Sequence, residues 1–129
     1  MIMNMSEEKI CLKVMKLDPK MRSARVINDR GHQVAGGMKK GLKSLEDAKQ
    51  DEMMFMEIAL RVRMRHEFDK EFGKTLFSLS YRDKVIIISF PTSDGNVLLV
   101  SGEKDMDFGK IPFKIIKILE SFPSGSKTF

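Results

Sequence analysis

Tryptophan is missing from this 129-residue chain, and cysteine and tyrosine occur once each. A lone thiol, Cys11, closes no internal disulfide, so the fold must stand on its packing, and such cysteine usage fits a reducing cytoplasm. Cys11, His32 and His66 share no ligand spacing that would seed a metal site, and no cofactor is expected. No apolar run nears the roughly 20 residues that a membrane-spanning helix requires. The longest, Val85 to Phe90, is interrupted by Ser89 and stopped by Pro91. The N-terminal MIMNMSEEK has no basic segment leading into an apolar one, so no secretory leader is read there and a cytoplasmic location is expected. What remains, 42% hydrophobic and 32% charged residues, describes one globular domain able to bury a real core. The net charge of +5 permits attraction to nucleic acid, anionic lipid or an acidic protein face and selects none of them.

The chain is organised around residues 44–72, which read as one long helix. Ser44 with Asp47 three residues on has the form of a capping box. Glu46, Asp47, Asp51 and Glu52 put negative charge where a helix N-terminus favours it, and Gly73 is a natural left-handed stop. At 100° per residue, Met53, Met56, Leu60 and Met64 line one stripe, while Met54, Phe55, Ile58, Ala59 and Val62 fill most of the remaining circumference. A helix apolar nearly all round has to be covered on more than one side. The chain's own sheet supplies one cover, and the expected second cover is another subunit. Core filling accounts for the Met53 stripe and leaves the opposite side for a partner.

Elsewhere the periodicity alternates between the two regular structures. Residues 6–17 read as a helix capped by Ser6 and closed by Pro19. Arg25-Val26-Ile27 and Gln33-Val34-Ala35 read as strands around the turn Asn28 to Gly31, followed by a loop from Gly36 to Lys43. Residues 75–81, 84–90 and 97–100 read as three more strands, the second a central one, with Asp94-Gly95 turn chemistry before the last. Residues 108–122 read as a helix, regular from Pro112 and capped by Asp107. Residues 123–129 read as a loose polar tail beyond a single domain at 1–122, and no internal repeat is found. The expectation is an α+β fold in the order α-β-β-α-β-β-β-α, with a five-stranded antiparallel sheet carrying helices.

Chemistry is thinly represented. Asp107-Phe108-Gly109 spells the metal-binding tripeptide of protein kinases, yet no other kinase motif accompanies it and the chain is half the length of that fold. Gly36 to Ser44 resembles a phosphate-binding loop with Leu42 intruding before the lysine, which puts lysine and hydroxyl out of register. No nucleophile, base and orienting group are spaced to work together, so no enzyme is expected.

Taken with the element order, the stretch Val26-Ile27-Asn28-Asp29-Arg30-Gly31-His32-Gln33-Val34-Ala35-Gly36 resembles the first hairpin of the roadblock/dynein light chain family, and the likeness covers residues 7–120. The chain also resembles profilin-like and longin-like domains, and a group of uncharacterised proteins of ammonia-oxidising archaea. The resemblance implies a non-catalytic homodimer or heterodimer serving as a platform for small Ras-like GTPases or larger complexes. It points to Met54, Phe55, Ile58, Val62 and Arg65 on the long helix as the pairing face. Two other readings carry their own residues. A PAS-like ligand sensor would need a cavity lined by methionines with Phe77, Phe90 and Phe108. A weak nucleic-acid binder would use Arg61, Arg63 and Arg65, against which stand the modest net charge and the lack of a recognised motif.

Overall fold

The computed structural model describes residues 5–92 and 95–122. Alternation along five strands deals their side chains to two faces of one sheet, and the two faces differ in chemistry. The strands are β1 (Met21–Ile27), β2 (Gln33–Met38), β3 (Ser78–Tyr81), β4 (Ile86–Pro91) and β5 (Val97–Gly102). They lie in the order β2-β1-β5-β4-β3, antiparallel throughout. A hairpin (β1–β2) and a meander (β3–β4–β5) are thus joined where β1 pairs with β5. The α+β class and the element order are those expected from the sequence.

One face is wholly apolar. Ala24 and Val26 of β1, Ile86, Ile88 and Phe90 of β4, and Leu98 and Val100 of β5 are buried beneath two helices, α1 (Met5–Met15) and α4 (Ile111–Glu120). These helices contribute Ile10, Cys11, Val14, Ile111 and Ile115 to the same cluster. Each large apolar side chain fully withdrawn from water stabilises by about 1.5–3 kcal/mol, so this layer holds the domain together. The other face alternates Ser23-Arg25-Ile27 on β1, Ile87 and Ser89 on β4, and Val97-Leu99-Ser101 on β5. Ile27, Val97 and Leu99 there form a small second core, closed by Phe55 and Val62 from α2 (Ala48–Arg65), with Ile87, Met54 and Ile58 packed against it half-buried.

The long helix differs from its expected form at both ends. It starts one turn later than Ser44, because the Ser44 hydroxyl donates to the Glu46 carbonyl (3.2 Å) while Asp47 and Gln50 form the capping box. The Asp47 carboxylate accepts from the Gln50 amide at 2.8 Å, and the Gln50 side chain accepts from the Asp47 amide at 3.0 Å. At the far end a 3-10 turn, His66–Phe68, interrupts it before a last short helix, α3 (Asp69–Phe72). Phe68 leaves helical geometry there at φ −105° and ψ 6°. Gly73 stops the helical run as expected, at φ 81° with its amide on the Asp69 carbonyl. Asp107 does not cap α4 with its carboxylate; its carbonyl accepts from the Lys110 and Ile111 amides, and Lys110 is the capping residue. β2 continues to Met38, so Gly36, Gly37 and Met38 belong to a strand and form no phosphate loop. The middle strand is β5, with β4 beside it. The expected tail at 123–129 and the turn residue Asp94 lie outside the described residues.

Candidate functional site

The site is built on α2, and the sheet decides which way that helix faces. Serines and an arginine occupy much of the β1, β4 and β5 surface beneath it, leaving room for only a narrow apolar contact. Phe55, Ala59 and Val62, spaced at i, i+4 and i+7, fill it and are 5–6% exposed. The hairpin turn fixes the height of the helix from one side. Gly31, at φ +81°, lies so close that a Cβ there would sit 2.9 Å from the Met56 backbone. Asn28 holds that turn, its side-chain oxygen accepting from the Arg30 and His32 amides.

The outer side of α2 is consequently bare. Met53, Met56, Leu60 and Met64 are 67, 63, 51 and 59% exposed, which corrects the expectation that this stripe fills the core. Of the five positions singled out on the sequence, Phe55 and Val62 are taken up by the chain's own sheet. Met54, Ile58 and Arg65 are half-buried along the rim of a groove. That groove, about 850 Å³, separates α2 from the β3 and β4 end of the sheet, with Ser78, Ser80, Ile87 and Ser89 facing the helix. Arg65 spans it, donating to the Ser78 hydroxyl at 2.7 Å. Arg61 is engaged by Glu57 one turn earlier at 2.8 Å. β3 ends the sheet, so its outer edge carries no strand partner among the described residues. Beyond α2, Phe68 and Phe72 stack at 5.9 Å and are 55 and 82% exposed, continuing the apolar surface.

Groups capable of acid, base or nucleophilic chemistry are dispersed. Cys11 is buried in the other layer, where burial, with Glu8 and Glu7 nearby, pushes its thiol up to about 12. His66 pairs with Asp69 at 2.9 Å, and His32 stands exposed beside the first hairpin turn, outside the groove lining. Among the described residues no three of His, Cys, Asp and Glu converge as a metal site would require. The aromatic residues suggested for a sensor cavity do not share one. Phe90 is fully buried, Phe77 packs between it and Phe113, and Phe108 lies at the surface against Tyr81.

Sequence reasoning missed a charged cluster under the start of α2. Arg25 projects from β1 with its side chain 7% exposed, lies against the Phe55 ring at 5.4 Å, and faces Glu46 at 3.7 Å and Asp51 at 3.9 Å. Burial, then the neighbouring Glu46 carboxyl, pushes Asp51 up to about 6, while the hydrogen bond from Asp51 holds Glu46 below the ordinary carboxylate range. One Asp51 oxygen is buried without a hydrogen-bond partner. The available signal was an arginine set between Ala24 and Val26-Ile27 in the apolar half of β1.

Comparison with known proteins supplies the frame. Residues 1–122 match a family described as "Family of unknown function (DUF6659)". No curated protein matches the chain. Solved structures of the same fold do. MglB of Myxococcus xanthus is 12% identical, with 95% of each chain covered and a TM-score of 0.69. A Roadblock/LC7 domain from Streptomyces avermitilis is 14% identical, covering 88% of this chain and 92% of its own, at a TM-score of 0.66. An MglB described with a tetrameric arrangement is 9% identical, covering 88% of this chain and 87% of its own, at 0.63. The architecture is therefore that of Roadblock/LC7 domains.

Proposed function

From the premise that the chain belongs to the DUF6659 family and has the Roadblock/LC7 fold, we propose that it is a non-catalytic interaction module that pairs with a second copy of itself through α2. The observation that carries this reading is the row Met53, Met56, Leu60 and Met64, four large apolar side chains more than half exposed along three turns of one helix. Scattered exposed apolar residues are normal, but a continuous stripe of them marks a contact surface. Methionine suits such a surface because its unbranched, polarisable side chain repacks against whatever it meets. In the proposed pair the outer stripe makes the central contact. Met54, Ile58 and Arg65 extend it along the groove, and Phe55 and Val62 anchor the helix to its own sheet. A dimer presents two such grooves and serves as a platform for a larger complex or a small Ras-like GTPase, as the family resemblance implies. The related fold in one MglB is described in a tetrameric arrangement, which supports assembly as a use of this architecture.

Because the stripe touches nothing in the core, it can be altered without unfolding the chain. Leu60→Asp and Met56→Asp are expected to convert a dimer into a folded monomer, read by light scattering at several concentrations alongside circular dichroism. A wild-type chain that is monomeric at high concentration, or a dimer untouched by both changes, would refute pairing through this stripe. For the partner, a co-purifying GTPase should be retained by the wild type and lost with the Leu60→Asp monomer.

A further inference from the structure

The helices on the far side of the sheet carry a short repeat that ordinary amphipathic periodicity conceals. Lys9-Ile-Cys-Leu-Lys-Val-Met-Lys-Leu17 in and after α1 corresponds to Lys110-Ile-Pro-Phe-Lys-Ile-Ile-Lys-Ile118 at and in α4. Lysine stands at the first, fifth and eighth positions of each. Burial follows the same order in both runs: the second, third and sixth positions are buried, the seventh and ninth half-buried, and the first, fourth, fifth and eighth exposed. Both helices pack on the same sheet face, and they touch each other. Their outer surfaces together present six lysines around two exposed apolar side chains, Leu12 at 60% and Phe113 at 56% exposure. Phe113 keeps one ring edge on Phe77, and Lys13 lies over the Phe122 ring.

Core packing explains the buried positions of each run and, of the exposed ones, touches only Phe113, through its edge contact with Phe77. None of the six lysines enters an ion pair among the described residues. The three acidic residues described on these helices, Glu7, Glu8 and Glu120, offset only half of their charge and pair with none of them. Glu7 accepts from Asn96 at 2.7 Å, Glu8 accepts from the Gly36 amide at 3.2 Å, and Glu120 is the last residue of α4. We propose that the outer face of the α1–α4 layer docks on an anionic phospholipid bilayer. A two-helix layer offers a broad surface, and its lysine stems can lie along the interface with their ammonium groups at headgroup level. Leu12 and Phe113 enter the boundary between headgroups and acyl chains, the arrangement of interfacial amphipathic helices. Phosphate-tracking surfaces on nucleic acid use arginine forks and stacking aromatics, and this face has no arginine and centres one of its two runs on a leucine. The α2 stripe is on the opposite side of the sheet, so self-pairing leaves this face free and the two properties fail independently.

The test is co-sedimentation of the full chain with vesicles of phosphatidylcholine, with and without phosphatidylserine. Binding is expected only to the mixed vesicles and should weaken as salt rises. Each lysine near such a surface contributes about fivefold to partitioning, so the Lys110→Gln, Lys114→Gln, Lys117→Gln variant should bind about a hundredfold more weakly. A Leu12→Ser, Phe113→Ser variant should also lose binding. Removing equal charge from the loop with Lys39→Gln, Lys40→Gln, Lys43→Gln should leave binding in place. All substituted positions are exposed, and circular dichroism checks that the fold persists. Absence of binding to the mixed vesicles, or equal losses from the loop and helix variants, overturns the proposal. So does retention on duplex DNA that needs the α4 lysines and ignores Leu12 and Phe113, which would make the face a nucleic-acid surface.

Discussion

Replacing Asp51 with asparagine should make this protein more stable at pH 8 and flatten its response to pH. Asp51 keeps its proton up to about pH 6 in the native state, against an ordinary value of 3.8. A group that binds its proton more tightly when folded supports the fold below the unfolded pKa, and that support is lost as pH rises through the folded one. The window is therefore about pH 4 to 6, and above it the native state carries an ionised carboxylate beside Glu46 that burial opposes. A difference of this size corresponds to about 3 kcal/mol at most. The favourable placement of a negative charge in the first turn of α2 offsets about 0.3–1 kcal/mol of that. Glu46 has the opposite sign: its lowered pKa gives stability above the ordinary range that is lost on acidification, and the carboxamide of the Asp51→Asn variant can still donate to it. A net gain of about 1–2 kcal/mol at pH 8 follows, shrinking to nothing near pH 4. Urea unfolding of both proteins at equal concentration between pH 4 and 8 measures it. A variant less stable than wild type at pH 8, or one with the same slope from pH 4 to 6, would show that Asp51 is ionised and satisfied by Arg25 and would refute the account.

The glycines of the first hairpin make a graded series under thermal unfolding. Gly36→Ala should prevent folding because a Cβ at its φ of +82° collides with the Ala24 carbonyl oxygen. Gly31→Ala should destabilise by about 2 kcal/mol through the Met56 backbone and its own φ of +81°, and Gly37→Ala, which meets nothing, should be near neutral. Asp47→Ala removes the capping box of α2 and should lower stability by about 1 kcal/mol in urea titration, whereas Ser44→Ala should have little effect. Cys11, buried and with its thiol held near 12, should resist alkylation in the native state and react stoichiometrically in denaturant, followed by intact-mass measurement.

Which parts of this architecture the sequence discloses depends on whether a local pattern has one physical solution. The order of elements does, because Gly73, Pro19 and Pro91 mark the ends of segments, residues 75–81 alternate with period two, and the β-branched run at 84–90 and the short apolar run at 97–100 suit buried strands. The cap of α2 has two, since Ser44 and Asp47 both satisfy the spacing. The competition is settled by Gln50, whose side chain returns the hydrogen bond by accepting from the Asp47 amide. The facing of α2 has no local solution. Both of its sides are apolar, and either could meet a sheet. What turns Phe55 and Val62 inward is the surface below, where Ser23, Arg25, Ser89 and Ser101 confine apolar contact to Ile27, Val97, Leu99 and the half-buried Ile87. The Arg25 cluster escaped for a related reason: Glu46 and Asp51 are remote from it in the chain and meet it only once the helix has docked.

The same reasoning explains why one domain can carry two unlike outer surfaces. The α1 and α4 layer encloses the larger core, so the sheet is already held from that side and the residues pointing away from it are free to vary without loss of packing. The exceptions are Phe113, which packs edge-to-face on Phe77 at 5.5 Å, and Lys13, which lies over the Phe122 ring at 5.4 Å. The other lysines and Leu12 form no ion pair or ring contact among the described residues, and the repetition of the pattern in two separate helices needs another cause. On the opposite face the small core under α2 contributes fewer buried side chains, and a helix held so lightly leaves most of its apolar surface outside. Covering the Met53 to Met64 stripe with a second copy would add to the stability of α2 itself. Pairing and local stability are then linked: a substitution that separates the copies should loosen α2 relative to the sheet, while one confined to the lysine face should leave both unchanged.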